Sequence, residues 1–460
     1  MDLRAMVQEF VLEQTERRVR GDGGNDSTRC KSSVSDFRRQ LNSLRTYLGK
    51  QQRGVALADA PVHPELGIVV VIPCYDEPDL PRTLESLRRC RPARGAVEVV
   101  LVWNASERDD EELRRRNQAM MERVHVWRAE HEHPRFRIQT LNWPRLPARH
   151  AGVGLARKIG MDEAVARFAA VDNPHGIIAS LDADCTCDAD YLVALESHFQ
   201  RHQNTRACTI YFEHDLNGPL EKKLYAAITR YELFLRYYRH GLKFANFPFA
   251  HYTVGSCLAV RCDFYARHGG MNRRKAGEDF YFLNKLMAVG GVSENTATRV
   301  MPGVRMSTRT PFGTGRALND RLQNGDQIWE SYDPRVFRDL AALVAGVDGC
   351  YEMAPDQWLN RAPLSDSMRE FLLANGVIEK HTEIRSNCAS RESFRKRFFQ
   401  WFDGFRALKF IHHATRYAYP RRPLEQACAT LLDWQGSGDG LRSASAEELL
   451  LYFRRRDRHC

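Results

Sequence analysis

The pattern of apolar and polar positions changes character twice along the chain. Over the first 50 or so residues, apolar positions recur at helical spacing among many charges. This predicts an amphipathic helix over 3–20, a turn-rich linker at Gly21-Asp22-Gly23-Gly24-Asn25-Asp26-Ser27, and a second, basic helix over about 35–48 with Ser35 as its cap. At Gly67 the pattern switches. Ile68-Val69-Val70-Val71-Ile72 is an unbroken β-branched run, as expected of a strand buried on both faces, and it should stop at Pro73. A helix is expected over 80–89, a second buried strand over 97–102, and a third through Ile177, Ile178, Ala179 and Leu181. Strands alternating with helices predict an α/β domain with a mostly parallel sheet. From about Asn319 helical spacing returns. The expected units are a helical appendage (1–65), the α/β domain (66–318) and a mainly helical C-terminal region (319–460).

In such sheets ligands bind beyond the carboxyl ends of the strands. Two predicted strands end in polar clusters, Cys74-Tyr75-Asp76-Glu77 and Asp182-Ala183-Asp184, which should share one crevice. Two carboxylates one residue apart offer hard oxygen ligands suited to Mg²⁺ or Mn²⁺, with coordination positions left for phosphate oxygens. D-x-D also occurs in ordinary surface loops. Further on, Glu278 and Asp279 are adjacent at an expected helix start, where one can face the crevice and the other bond locally. Their plain alternative is a first-turn acidic pair complementing the helix dipole. Arg305, Arg309 and Arg316 fall in a glycine-containing segment that either closes over an anion or is a solvated basic loop.

These elements occur in order. Val70-Val71-Ile72-Pro73-Cys74-Tyr75-Asp76-Glu77 opens the domain, and Asp182-Ala183-Asp184 follows. Then come Val254-Gly255-Ser256-Cys257, His268-Gly269-Gly270-Met271 and Gly277-Glu278-Asp279. Across roughly 66–318 the sequence resembles the family 2 glycosyltransferases. The resemblance implies a Rossmann-like GT-A fold and an inverting, hexosyltransferase-like transfer from a nucleotide-sugar donor to a glycan or lipid-linked acceptor. It implies that Pro73, Tyr75 and Glu77 line the nucleotide pocket and that Arg157, in Gly152-Val153-Gly154-Leu155-Ala156-Arg157-Lys158, reaches the nucleotide. Asn104, Gly255 and Arg309 would also bind the donor. Asp182 would face the ribose or metal, Asp184 would bind a divalent cation, and Asp279, with Glu278 beside it, would be the catalytic base. Three positions depart from the family pattern: Asp76 and Lys158 replace Asn, and Trp103 stands where the family carries its base-recognising Asp. Asp109 and Asp110 are the nearby carboxylates.

Composition narrows the alternatives. The chain has 460 residues, 43% apolar and 27% charged, which excludes a disordered or disulfide-dense protein. Its 68 Lys and Arg exceed 58 Asp and Glu by ten, and six of those ten charges fall in 381–460. That balance favours anionic partners. With no recognition-helix, zinc-finger or single-strand signature, no specific nucleic-acid partner is expected. The pattern G-x-x-x-x-G-K is absent, which argues against a P-loop enzyme. The first 20 residues are too charged for a secretory signal, and twelve scattered cysteines without C-x-x-C agree with a reducing, cytoplasmic setting. Cys185-Thr186-Cys187 has the spacing of half a metal site but no matching pair. Phe394, Phe398, Phe402 and Phe405, flanked by Arg and Lys, are either a core face or a peripheral helix at the inner face of the cytoplasmic membrane. Arg454-Arg455-Arg456-Asp457-Arg458 reads as a solvated end. The alternatives to sugar transfer are an inactive relative that binds a nucleotide or glycan, and a nucleotidyltransferase.

Overall fold

The computed structural model describes residues 27–51, 61–304, 329–437 and 440–458. The helix expected over 3–20, the boundary at 318, and Arg305, Arg309 and Arg316 lie outside them. The chain opens with α1 (Ser27–Lys50), followed by β1 (Leu66–Cys74), α2 (Leu80–Arg88), β2 (Ala96–Ser106), α3 (Glu111–His131), β3 (Phe136–Leu146) and α4 (Val153–Ala170). It continues through β4 (Ile177–Ser180), β5 (Thr186–Cys187), α5 (Tyr191–Arg201), β6 (Ala207–Phe212), α6 (Lys222–Phe244), β7 (Leu258–Arg261), α7 (Cys262–Arg267), α8 (Glu278–Val289) and β8 (Val292–Met301). After β9 (Glu330–Ser331) come the helices α9 (Arg335–Glu352), α10 (Pro355–Arg361), α11 (Asp366–Ala374), α12 (Val377–Ser386), α13 (Arg391–Trp401) and α14 (Gly404–Tyr417). Strand β10 (Arg422–Pro423), which pairs with β9, precedes α15 (Leu424–Trp434) and α16 (Ala446–Arg458).

Eight strands form one sheet in the order β3-β2-β1-β4-β7-β6-β8-β5, and four of its seven pairings are parallel. This is the α/β, GT-A type architecture that the sequence predicts. The unbroken run in β1 is explained by burial on both sides. Ile68, Val70 and Ile72 pack with α2, α3 and α5 through Leu84, Val124 and Leu195. Val69 and Val71 face α4 through Met161, Val165 and Phe168. Each fully buried side chain of this kind contributes about 1.5–3 kcal/mol. Helix α4 comes so near the sheet at Gly160 that an added Cβ would lie 2.4 Å from Val71 Cγ1. Only a residue without a side chain fits that approach.

Three local expectations are corrected. Helix α1 begins at Ser27 rather than at the expected cap Ser35, which is inside the helix. Strand β1 continues through Pro73, paired with Val102. The β1–β4 ladder ends at Val71 with Ser180, so the missing N–H of Pro73 costs no bond on that side. The C-terminal arginines are not a solvated end, because Arg454 and Asp457 are buried.

The helices after β9 share one core with the sheet: Phe337, Phe398, Phe402, Leu449 and Phe453 belong to the cluster that includes Val69 and Val71. Of the two readings of the phenylalanine stripe, the core face holds. Phe394, Phe398 and Phe402 are at most 1% exposed, and Asp403 separates the stripe into α13 and α14 by capping the latter through Arg406 N at 2.9 Å. Among the described residues no helix is long and apolar enough to cross a membrane.

Candidate active site

The carboxyl ends of β1 and β4 open into a cavity of about 710 Å³, a size suited to a nucleotide-sized ligand. Pro73, Tyr75, Glu77, Asn104, Arg157, Asp182, Asp184, Gly255, Glu278 and Asp279 all line it. The two strand-end clusters therefore share one crevice, and each proposed site residue among the described ones reaches it. Arg309 lies outside the described residues.

After β4 the chain makes a tight turn through Asp182-Ala183-Asp184-Cys185, closed by Cys185 N donating to the Asp182 carbonyl at 3.1 Å. Ala183 and Cys185 are buried, while Asp182 and Asp184 are half-buried on the cavity side. Thr83 of α2 holds the turn from behind by donating to the Ala183 carbonyl at 2.8 Å. Among the described residues no three His, Cys, Asp or Glu side chains converge as a metal cage. Two carboxylates on one turn fit a cation that completes its shell with phosphate oxygens and water.

Arg157 is the hub. Its side chain is 3% exposed, its Nε donates to Ser180 Oγ at 3.0 Å, and its two amino groups pair with Asp182 and Glu278. Gly255 makes room for it, since a Cβ there would stand 2.6 Å from the guanidinium carbon and both terminal nitrogens. We expect Gly255→Ala to expel the guanidinium, strand Glu278 without its cation, and cost about 3 kcal/mol. Wild-type stability in urea denaturation would show that Arg157 is not held this way.

Glu278 and Asp279 are separated by this arrangement. Glu278 is turned inward onto Arg157, whereas Asp279 is half-buried at the cavity wall, with Oδ1 accepting from Phe280 N at 2.7 Å. Burial raises the Asp279 carboxyl above the usual Asp range, against the pull of Arg157.

The departures from the family pattern have structural accounts. Asp76 sits in the left-handed region at φ 53°, which Asn and Asp tolerate better than most residues. Arg116 holds it through two bonds of 2.8 and 3.1 Å. Lys158 turns away from the cavity and donates to Tyr47 of α1 at 2.9 Å and to Asp162 at 2.8 Å, docking the N-terminal helix. Trp103 is buried on the other face of β2, among Leu101 and Met120. Neither nearby carboxylate lines the cavity. Asp109 accepts from the Tyr75 hydroxyl at 2.9 Å, and Asp110 caps α3.

The sequence reading missed one wall of the cavity. His214, Tyr252 and Arg239 line it. His214 Nδ1 lies 3.0 Å from Glu232, a carboxylate that can only accept, so Nδ1 carries the proton. Nε2 is buried without a hydrogen-bond partner among the described residues. The signal was present in the sequence: Glu213-His214-Asp215 follows the apolar strand β6 as the other two clusters follow theirs.

No family model and no curated protein matches the sequence. Among solved structures, S. aureus TarS 1-349 in complex with UDP-GlcNAc aligns at 12% identity over 85% of this chain and 92% of that one, with a TM-score of 0.36. The same protein in complex with UDP aligns at 13% identity over 85% and 88%, with a TM-score of 0.34.

Proposed function

We propose that the chain is an inverting glycosyltransferase that moves a sugar from a nucleoside-diphosphate donor to an acceptor hydroxyl. The observation that supports this most is the division of labour at the start of α8. Glu278 is committed to Arg157, while the Asp279 carboxylate lines the same cavity as Asp182 and Asp184. In the reaction, Asp279 takes the acceptor proton as the hydroxyl oxygen attacks the anomeric carbon. The bond from that carbon to the diphosphate oxygen breaks, its electrons leave on the diphosphate, and a single displacement inverts the centre. Arg157 holds Asp182 and Glu278 in place. Asp184, with Asp182, would hold Mg²⁺ or Mn²⁺, whose charge would stabilise the departing diphosphate.

Thermal unfolding with UDP, GDP and dTDP, each with and without Mn²⁺, tests the reading. At a hundred times its dissociation constant the matching nucleotide should stabilise the fold by about 2.7 kcal/mol. The shift should require the metal and vanish in Asp184→Ala. If no nucleotide shifts the transition, the reading fails. A metal-dependent shift with no transfer to any glycan or lipid-linked acceptor would favour the inactive relative, for which the loss of a base-recognising Asp at Trp103 speaks.

A further inference from the structure

Directly behind the Asp182–Asp184 turn, two cysteines distant in sequence meet. Cys90 follows α2 and Cys187 ends β5, and their sulfurs are 3.7 Å apart. The backbones that carry them are already joined, because Arg91 N donates to the Ala189 carbonyl at 2.7 Å. Of the ten cysteines whose burial is described, Cys90 is the one that is not buried, and Cys187 is buried behind it. We infer that Cys90 and Cys187 are an oxidation site, in which Cys90 meets a peroxide and Cys187 resolves it to a disulfide tying β5 to α2.

The two thiols have different chemistry. Cys90 is lowered from the ordinary thiol range, first by a hydrogen bond from Cys187. Partial burial opposes this, and the backbone amides of Leu192 and Tyr191 at the start of α5 add to it. A helix N-terminus favours the thiolate. Cys187 is held well above the ordinary range as the proton-sharing partner of Cys90 and by its burial. Exposure assigns the roles: Cys90, the less buried sulfur, is the nucleophile, and the buried Cys187 at 3.7 Å is the resolving thiol. The Cys90 thiolate attacks one oxygen of hydrogen peroxide, the O–O bond breaks, and hydroxide leaves to take up the proton that Cys90 gave up. The Cys187 sulfur then attacks the resulting sulfenic acid, the S–O bond breaks, and a second water leaves with the Cys187 proton. Two thiols and one peroxide give one disulfide and two waters.

The bridge would join two segments on either side of the D-x-D support. Thr83 of the same helix α2 already bonds the Ala183 carbonyl, and Ser86 Oγ is 3.7 Å from Cys187 Sγ. Oxidation therefore adds a covalent tie where α2 already braces the turn, without moving either element far.

The test uses the full-length, reduced protein treated with hydrogen peroxide, then alkylated in denaturant and digested without reductant. The expected product is a Cys90–Cys187 cross-linked peptide, with a thermal midpoint raised by several degrees and restored by dithiothreitol. In Cys187→Ser the reaction should stop at a Cys90 sulfenic acid trapped by dimedone. In Cys90→Ser, Cys187 should remain a thiol. The inference is overturned if Cys187 in the wild type stays fully alkylatable while Cys90 proceeds to the sulfinic acid, or if the cross-link joins other cysteines. None of these readouts depends on sugar transfer, so they stand or fall apart from the proposed function.

Discussion

Asp279→Asn is expected to lower sugar transfer by about 10²- to 10⁴-fold, the usual worth of a positioned general base, while nucleotide binding stays near the wild-type level. The substitution keeps the shape and removes the proton acceptor. The hydrogen bond from Phe280 N falls on an oxygen that Asn retains. Because the base acts on the acceptor proton only as the new bond forms, its loss should appear in turnover rather than in donor affinity. Glu278→Gln should behave differently. Glu278 is an ion-pair partner of the buried Arg157, so this change should lower stability and nucleotide binding together. Steady-state transfer rates with calorimetric nucleotide affinities separate the two outcomes. An Asp279→Asn enzyme with wild-type turnover would assign the proton to another group.

Asp457→Ala is expected to destabilise the fold by about 3–5 kcal/mol, the cost of breaking a buried ion pair from one side. Asp457 is 2% exposed and pairs with both Arg236 and Arg239. It also accepts from Tyr252 at 2.6 Å and bonds His240 Nε2 at 2.8 Å. Arg454, one turn earlier on α16, donates to Glu232 at 2.7 Å and to the His214 carbonyl at 2.8 Å. The last helix thus plugs into the wall of the cavity that carries His214 and Tyr252. Removing Asp457 leaves two guanidinium groups buried without this partner, and the urea midpoint measures the loss.

The same network sets the response to acid. Burial works against ionisation of Asp457, but His240, Arg236 and Arg239 hold its carboxyl below the usual Asp range. Glu232 is likewise held low, by Arg236, His214 and Arg454 against its burial. Glu294 is brought down to about 2 by His251, Arg239 and Lys243, again against burial. Each depressed carboxylate adds stability that is fully present above its unfolded value of about 4 and is lost as pH falls toward the folded value. The thermal midpoint should therefore fall between about pH 5 and pH 2, and Asp457→Asn should flatten that slope. An acid profile unchanged by the substitution would remove Asp457 from the account.

Much of the α/β domain was legible in the chain. The run from Ile68 to Ile72 declares a strand buried on both faces, because alternate residues meet separate helix layers and both must be apolar. Polar clusters directly after such strands declare the crevice, since that is where a parallel sheet opens to solvent. By this logic the Cys74–Glu77 and Asp182–Asp184 clusters were placed at the crevice, which both line, and Glu213-His214-Asp215 after β6 was legible but missed. The rule that a strand ends at proline failed at Pro73, because the neighbour on one side, β4, had already ended while β2 still paired with it.

By itself the sequence determined what local periodicity and short spacings encode: the α/β class, the helical ends, and which strand ends carry carboxylates. Tertiary structure alone decided which charges meet. Arg454 and Glu232 are 222 positions apart, and Arg236 and Asp457 are 221 apart. No spacing rule distinguishes the buried Arg454 from the exposed Arg455 beside it. The difference is made by the face of α16 that packs on α6, where a charge removed from water must find its partner. The same holds for Lys158, which resembles a site residue in sequence yet docks α1, and for Glu278, which the fold assigns to Arg157 while Asp279 lines the cavity.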